Sequence, residues 1–155
     1  MLSTFEKLNL KNHRTIAVLN APSSFERELA GLHDVSILRN PEEGDAIPFW
    51  LVFVTKQQEV AEFAQTIAHS TKGDTIVWFA YPKGSSKRYK SEINRDRGWQ
   101  VLGDLGFEPV RSVSIDDDWS AVRFRRETFI KTMTRKPEHR MTAHAKARTA
   151  KGRPV

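Results

Sequence analysis

The chain has 155 residues, no cysteine, and a formal charge of +6 from 25 basic and 19 acidic side chains. That length suits one domain with a proper core, and the missing thiols exclude disulfides, thiolate metal centres and cysteine nucleophiles. The charge is unevenly placed: from Lys131 onward stand eight basic residues and one acid, Glu138, so the last 25 residues carry +7 and the other 130 carry −1. The basic character therefore belongs to a tail and not to the domain.

The N-terminal MLSTFEKLNLKNHR has no continuous apolar stretch of the kind a signal peptide needs. No apolar run approaches ~20 residues, so no spanning helix is expected and the expected location is the cytoplasm. Arg14–Pro22 is an apolar run closed by Asn-Ala-Pro and predicts a strand ending in a turn. Ser23 and Glu26 have capping-box spacing, and Leu29 and Leu32 continue an apolar face to make a short helix. Asp34–Asn40 predicts a second strand, and PEEGDAIP a loop.

Pro48–Lys56 is apolar without alternation, the pattern of a strand covered on both faces. Val60, Phe63, Ala64, Ile67 and Ala68 then recur at helical spacing. Thr75–Tyr81 predicts another fully buried strand, and Ile93–Phe107 a helix ended by Gly106. Pro109–Asp116 and Trp119–Arg126 predict a hairpin, followed by a short helix over Glu127–Thr134. Beyond Arg135 aromatic and branched aliphatic residues are missing save for Val155, so residues 135–155 are expected to form a flexible, disordered basic tail on a single domain over residues 1–134.

Strand and helix alternate, which predicts an α/β Rossmann-like fold. The sheet is mostly parallel with helices on both faces, and the C-terminal hairpin supplies one antiparallel strand. The order resembles the class I methyltransferase-like branch of these folds, whose last strand is inserted antiparallel. In open parallel sheets ligands sit outside the carboxyl ends of the strands. There the fourth strand empties into YPKGSSKRYKSEINRDRGW, and Lys83–Arg97 carries six basic residues against Glu92 and Asp96.

Lys83, Ser85, Ser86 and Lys87 have the composition of a phosphate cradle, without the Walker A order. A solvated turn fits the same residues. Arg97, Asp116, Trp119 and Arg123 complete the candidate ligand-binding set: Asp116 ends a strand on the ligand edge, and Trp119 and Arg123 share one face of the last strand. Asp116-Asp117-Asp118 is read as turn chemistry and not as a metal site, and no metal or cofactor is assigned. The first turn, LNAPSS, lacks the glycines of a dinucleotide or S-adenosylmethionine loop, and Pro22 removes a backbone donor.

The segments VWFAYPKGSSKRYKSEINRDRGW, GFEPVRSVSIDDDWSAVRFRR and FIKTMTR together resemble a family of small uncharacterised bacterial proteins, domain-of-unknown-function family 3052. The resemblance spans most of residues 14–135 and implies a Rossmann-like domain of bacterial origin. It brings no catalytic assignment. The catalytic residues therefore stay unknown, and the reading leans away from an enzyme. The leading expectation is a non-enzymatic or degenerate module. It would bind an anionic ligand (a nucleotide, a phosphate metabolite or an acidic partner) at the carboxyl edge. One alternative is weak nucleic-acid association through the tail's Lys131, Arg135, Lys136, Arg140, Lys146, Arg148, Lys151 and Arg153. Another is a methyltransferase with an atypical cofactor loop. The oligomeric state is not legible from the sequence.

Overall fold

A computed structural model describes residues 3–41, 46–130 and 140–142. In chain order the elements are α1 (Thr4–Lys7), β1 (Thr15–Leu19), α2 (Glu26–Ala30), β2 (Ser36–Leu38), β3 (Phe49–Phe53), α3 (Gln57–Ser70), β4 (Ile76–Pro82), α4 (Gln100–Asp104), β5 (Phe107–Ser114) and β6 (Trp119–Arg126). The strands form one six-stranded sheet in the order β2-β1-β3-β4-β6-β5. β1 through β4 are parallel, and β6 runs antiparallel between β4 and β5. This is the expected Rossmann-like arrangement. The antiparallel strand is internal, and β5 forms the edge.

Period-two alternation divides the sheet between two cores. Ala17, Trp50, Val52, Val77, Phe79, Val122 and Phe124 face α3 and α4, where Val60, Ala64, Ile67 and Leu102 cover them. Ile16, Val18, Phe49, Leu51, Trp78 and Ala121 face α1 and α2, under Phe5, Leu8, Phe25 and Leu29. All residues of β3 and β4 are buried, as unbroken apolar runs require when both faces are covered. Trp78 anchors the N-terminal segment through its indole N–H, which donates to the Leu8 carbonyl at 2.8 Å. Pro109 is tolerated on β5 because that strand is an edge, and the pairing slips between Pro109 and Arg111 in a bulge that leaves Val110 exposed.

Several local expectations fail, each for a turn-chemistry reason. The capping box forms at Ser3 and Glu6, not at Ser23 and Glu26. Behind Pro22 the chain makes a 3₁₀ turn over Ser23–Phe25 with no side-chain cap, and Glu26 pairs with Arg39 at 2.8 Å. The helix expected from Ile93 begins only at Gln100. Asn94 and Arg97 exchange backbone hydrogen bonds, the Asn94 side chain accepts from the Asp96 N–H, and Gly98 takes a φ of +99°. A tight turn thus outcompetes the apolar spacing. Glu127–Phe129 is a 3₁₀ turn, Ile130 after it is extended, and residues 131–134 of the expected last helix lie outside the described residues.

The expected tail is not wholly separate from the domain. Arg140 and Thr142 are buried, and Met141 packs against the α3/α4 core. Glu108, fully buried at the start of β5, accepts from the backbone N–H groups of Met141, at 2.7 Å, and Thr142. Gln100 donates to the Met141 carbonyl at 3.1 Å. A carboxyl group deep in a core needs such donors, and this short strap supplies them to one of its two oxygens.

Candidate ligand edge

The parallel strands and β5 point their carboxyl ends to one edge, so the β1, β2, β3 and β4 exits and the β5–β6 turn lie together. Glu59, in the first turn of α3, organises this edge. One of its oxygens accepts from the backbone N–H groups of Thr55 and Lys56 and from the Thr55 hydroxyl, and the other accepts from Asn20 Nδ2 at 2.9 Å. Burial pushes the Glu59 carboxyl up, but the hydrogen bonds from Thr55, Lys56 and Asn20 outweigh it and hold it below its ordinary value of 4.5. Its contribution to stability is therefore present above pH 4.5 and is lost as pH falls through the lower folded value. Glu59→Gln should cost about 1 kcal/mol near neutral pH, in proportion to a weakened hydrogen-bonded cluster. In denaturant titrations, the gap to wild type should narrow as pH falls below 4.5 and through that lower folded value.

Asn20 ends β1 in the left-handed region, at φ +61°, and also donates Nδ2 to the Phe53 carbonyl at 2.9 Å. Asparagine is among the few non-glycine residues that adopt this conformation readily. The first turn, which lacks glycine, thus holds one positive φ at Asn20. Beside it lies a cavity of 370 Å³ bordered by Leu19, Asn20, Arg39, Asn40, Phe63 and Thr66. The α3 side chains were legible as one helix face. The role of Asn20 was not, because nothing in LNAPSS marks a positive φ.

The loop after β4 is folded onto the hairpin turn. Lys83 donates its backbone N–H to the Asp118 carbonyl, at 2.8 Å, and its ammonium to Ser114 Oγ, at 2.6 Å. Ser86 Oγ donates to Asp118 Oδ1 and accepts from the N–H groups of Arg88 and Tyr89. Asp116 accepts from the N–H groups of Asp118 and Trp119, both at 2.8 Å, and so shapes the turn. Lys83, Ser86 and Asp116 therefore have internal partners. Ser85, Lys87 and Arg97 are exposed. The chain then crosses the ends of β4 and β3, tied down where the Glu92 N–H donates to the Thr55 carbonyl and where the Glu92 carboxyl accepts from the Gln57 N–H. Along it Lys87, Arg88, Lys90, Arg95 and Arg97 all face solvent, with Arg95 only loosely paired to Asp96 at 3.7 Å.

Two candidate residues do not join this group. Trp119 is core, packed against Phe53 and Tyr89 at ring-centroid distances of 5.1 and 4.9 Å, although its buried indole N–H has no partner among the described residues. Arg123 pairs with Trp78 midway along β4 and lies toward the opposite, amino edge. Because β6 is antiparallel, each residue after Trp119 moves away from the ligand edge, and sharing a face with Trp119 did not mean sharing an end. Trp99 is also core, its indole N–H donating to the Asn94 carbonyl at 2.8 Å. Of the tail's basic residues Arg140 is buried, and Lys131, Arg135, Lys136, Lys146, Arg148, Lys151 and Arg153 lie outside the described residues. Among the described residues no cluster of three metal-ligating side chains is present, and no helix is long and apolar enough to cross a membrane.

No family model matches the chain, and no curated protein is similar to it in sequence. Solved structures are similar in fold. An S-adenosylmethionine-dependent methyltransferase from Aquifex aeolicus aligns over 79% of this chain and 87% of its own, with TM-score 0.55 and 13% identity. The ribosomal protein L11 methylase from Lactobacillus delbrueckii subsp. bulgaricus aligns over 79% and 76%, with TM-score 0.51 and 10% identity. An N-methyltransferase from Bradyrhizobium japonicum, in complex with S-adenosyl-L-homocysteine, aligns over 78% and 83%, with TM-score 0.50 and 10% identity. At such identities the likeness establishes the fold, and that fold is the class I methyltransferase-like form of the Rossmann sheet.

Proposed function

We propose that this chain is a cytoplasmic binding module that takes an anionic group, carried by a nucleotide or phosphate metabolite, at the carboxyl edge of its sheet. The observation that carries the reading is the exposed basic segment Lys87–Arg97, laid across the ends of β4 and β3. Ligands of open α/β sheets bind at this edge, and five exposed cations there outnumber the local acids and attract phosphate. Ser85 and the exposed bases are the contact residues, and Lys83, Ser86 and Asp116 hold the loop in place. Membership of the small bacterial family rests on the quoted motifs alone.

The test is a thermal-shift titration of the full chain with ATP at moderate salt. A ligand at about 100 times its Kd stabilises the folded state by about 2.7 kcal/mol. Lys87→Ala with Arg97→Ala should leave the unliganded melting temperature unchanged and weaken ATP at least tenfold. An unaltered ATP response in that variant would reject the assignment.

A second reading, S-adenosylmethionine binding, is favoured by the left-handed Asn20 beside the 370 Å³ cavity. Pro22 still offers no backbone donor. Calorimetry with S-adenosylmethionine decides it: heat lost in an Asn40→Ala, Thr66→Ala variant supports cofactor binding, and no heat at millimolar ligand rejects it. Nucleic-acid association through the tail predicts salt-dependent binding of duplex DNA by the full chain that is weakened by truncation after Thr142, which removes Lys146, Arg148, Lys151 and Arg153. Truncation at that point leaves the strap in place, and an unchanged affinity and salt dependence would reject a role for those four cations.

A further inference from the structure

The amino edge of the sheet, opposite the proposed ligand edge, carries a cluster of charge with too few partners. An open cleft of 520 Å³ is bordered there by the N-terminal loop, the α3–β4 connection and the end of β6. Lys11, His13, Lys72, Arg123 and Arg125 line it, and among the described residues the one acid in its lining is Asp74. With histidine neutral this is four positive charges against one negative.

Asp74 is already engaged. Both of its oxygens accept from Arg125, at 2.7 Å each, a bidentate pair that fixes both side chains. The Arg125 hydrogen bond holds the Asp74 carboxyl below its ordinary value. Arg123 has no equivalent. Its Nε is sealed from solvent and has no hydrogen-bond acceptor among the described residues. Its cross-strand partner on β5 is Arg111, a like charge, and like charges opposed across strands repel. Burial, then Arg125, and to a smaller degree Arg111, disfavour its charged form, against the attraction of Asp74. A guanidinium remains charged in proteins, so its neutralisation has to come from an acceptor.

We propose that the amino-edge cleft is a binding site for a small multivalent oxyanion, a phosphate- or polycarboxylate-bearing metabolite. Its charge is neutralised by Arg123 together with Lys11 and Lys72. The volume lies in the range of small-molecule sites. Arg125, held by Asp74, forms a fixed wall of the cleft, and the two lysines arrive from separate loops at its rim. The site is independent of the carboxyl-edge reading and lies at the other end of the same strands.

The experiment is a ¹⁵N–¹H titration of the full chain with pyrophosphate and, separately, citrate, each against sodium chloride at matched ionic strength. Saturable shifts are expected at residues 9–13, 72–76 and 123–125. Lys11→Ala with Lys72→Ala, both exposed and free to change without unfolding the chain, should weaken binding at least tenfold. Lys87→Ala with Arg97→Ala should leave it unchanged. Arg123→Gln should abolish it if the variant folds. Response to pyrophosphate alone identifies phosphate chemistry, and response to citrate as well identifies general oxyanion recognition. Shifts reproduced by sodium chloride, no shifts at those residues, or full affinity in the double-lysine variant would overturn the proposal.

Discussion

Truncation after Thr134 is expected to destabilise the protein by about 2–5 kcal/mol relative to a chain ending at Thr142. The shorter chain loses the strap that donates two backbone N–H groups to Glu108, and a wholly buried carboxyl group is left without those donors. Orphaning a buried polar group costs its full desolvation penalty, more than the hydrogen bonds alone contribute. Packing of Met141 against the α3/α4 core is lost as well. A substitution at Gly103 provides an independent check. A Cβ there would overlap the Met141 side chain and come 2.9 Å from its carbonyl oxygen. Gly103→Ala should therefore destabilise the full chain by displacing the strap. In the chain ending at Thr134 the same substitution should be neutral or slightly stabilising, because alanine is favoured over glycine inside a helix by roughly 0.5–1 kcal/mol. Chemical denaturation of the four proteins tests this. Equal effects of Gly103→Ala in both backgrounds would remove the strap from the account.

Asn20→Ala is expected to cost about 2 kcal/mol, and Asn20→Gly about half of that. Asn20 does two things at once. Its backbone takes φ +61°, and its side chain joins β1 to β3 and α3 through the Phe53 carbonyl and Glu59. Alanine loses the bridge and is also strained in the left-handed region, by roughly 1 kcal/mol or more. Glycine loses only the bridge. The difference between the two variants therefore isolates the backbone term. If glycine and alanine are equally destabilising, the positive φ contributes nothing and the conformation of the first turn is not what holds this edge.

The sheet was legible because its signal is redundant. Unbroken apolar runs at β3 and β4, the helical face through Val60, Ala64 and Ile67, and the hairpin to Arg126 each point to the same fold. Gly106 was legible as the residue ending α4, and its φ of +94° fits. The loop over the ligand edge was read correctly in place but not in detail. Composition identifies Lys83 and Ser86 as polar, yet only the folded register shows Ser114 and Asp118 beside them. Arg123 was misplaced because strand periodicity fixes a face and not an end. The strap at Met141 carried no signal in local pattern, since its partner Glu108 is more than 30 residues away and falls between the expected helix and the expected strand.

The central claim is that the carboxyl edge takes an anionic ligand along Lys87–Arg97. Its most direct test is a ¹⁵N–¹H titration of the full chain with ATP at moderate salt. The account predicts saturable shifts at Ser85, Lys87, Arg88, Lys90, Arg95 and Arg97, lost in Lys87→Ala with Arg97→Ala. Absence of shifts along that segment, or shifts confined to the amino-edge cleft, would contradict it.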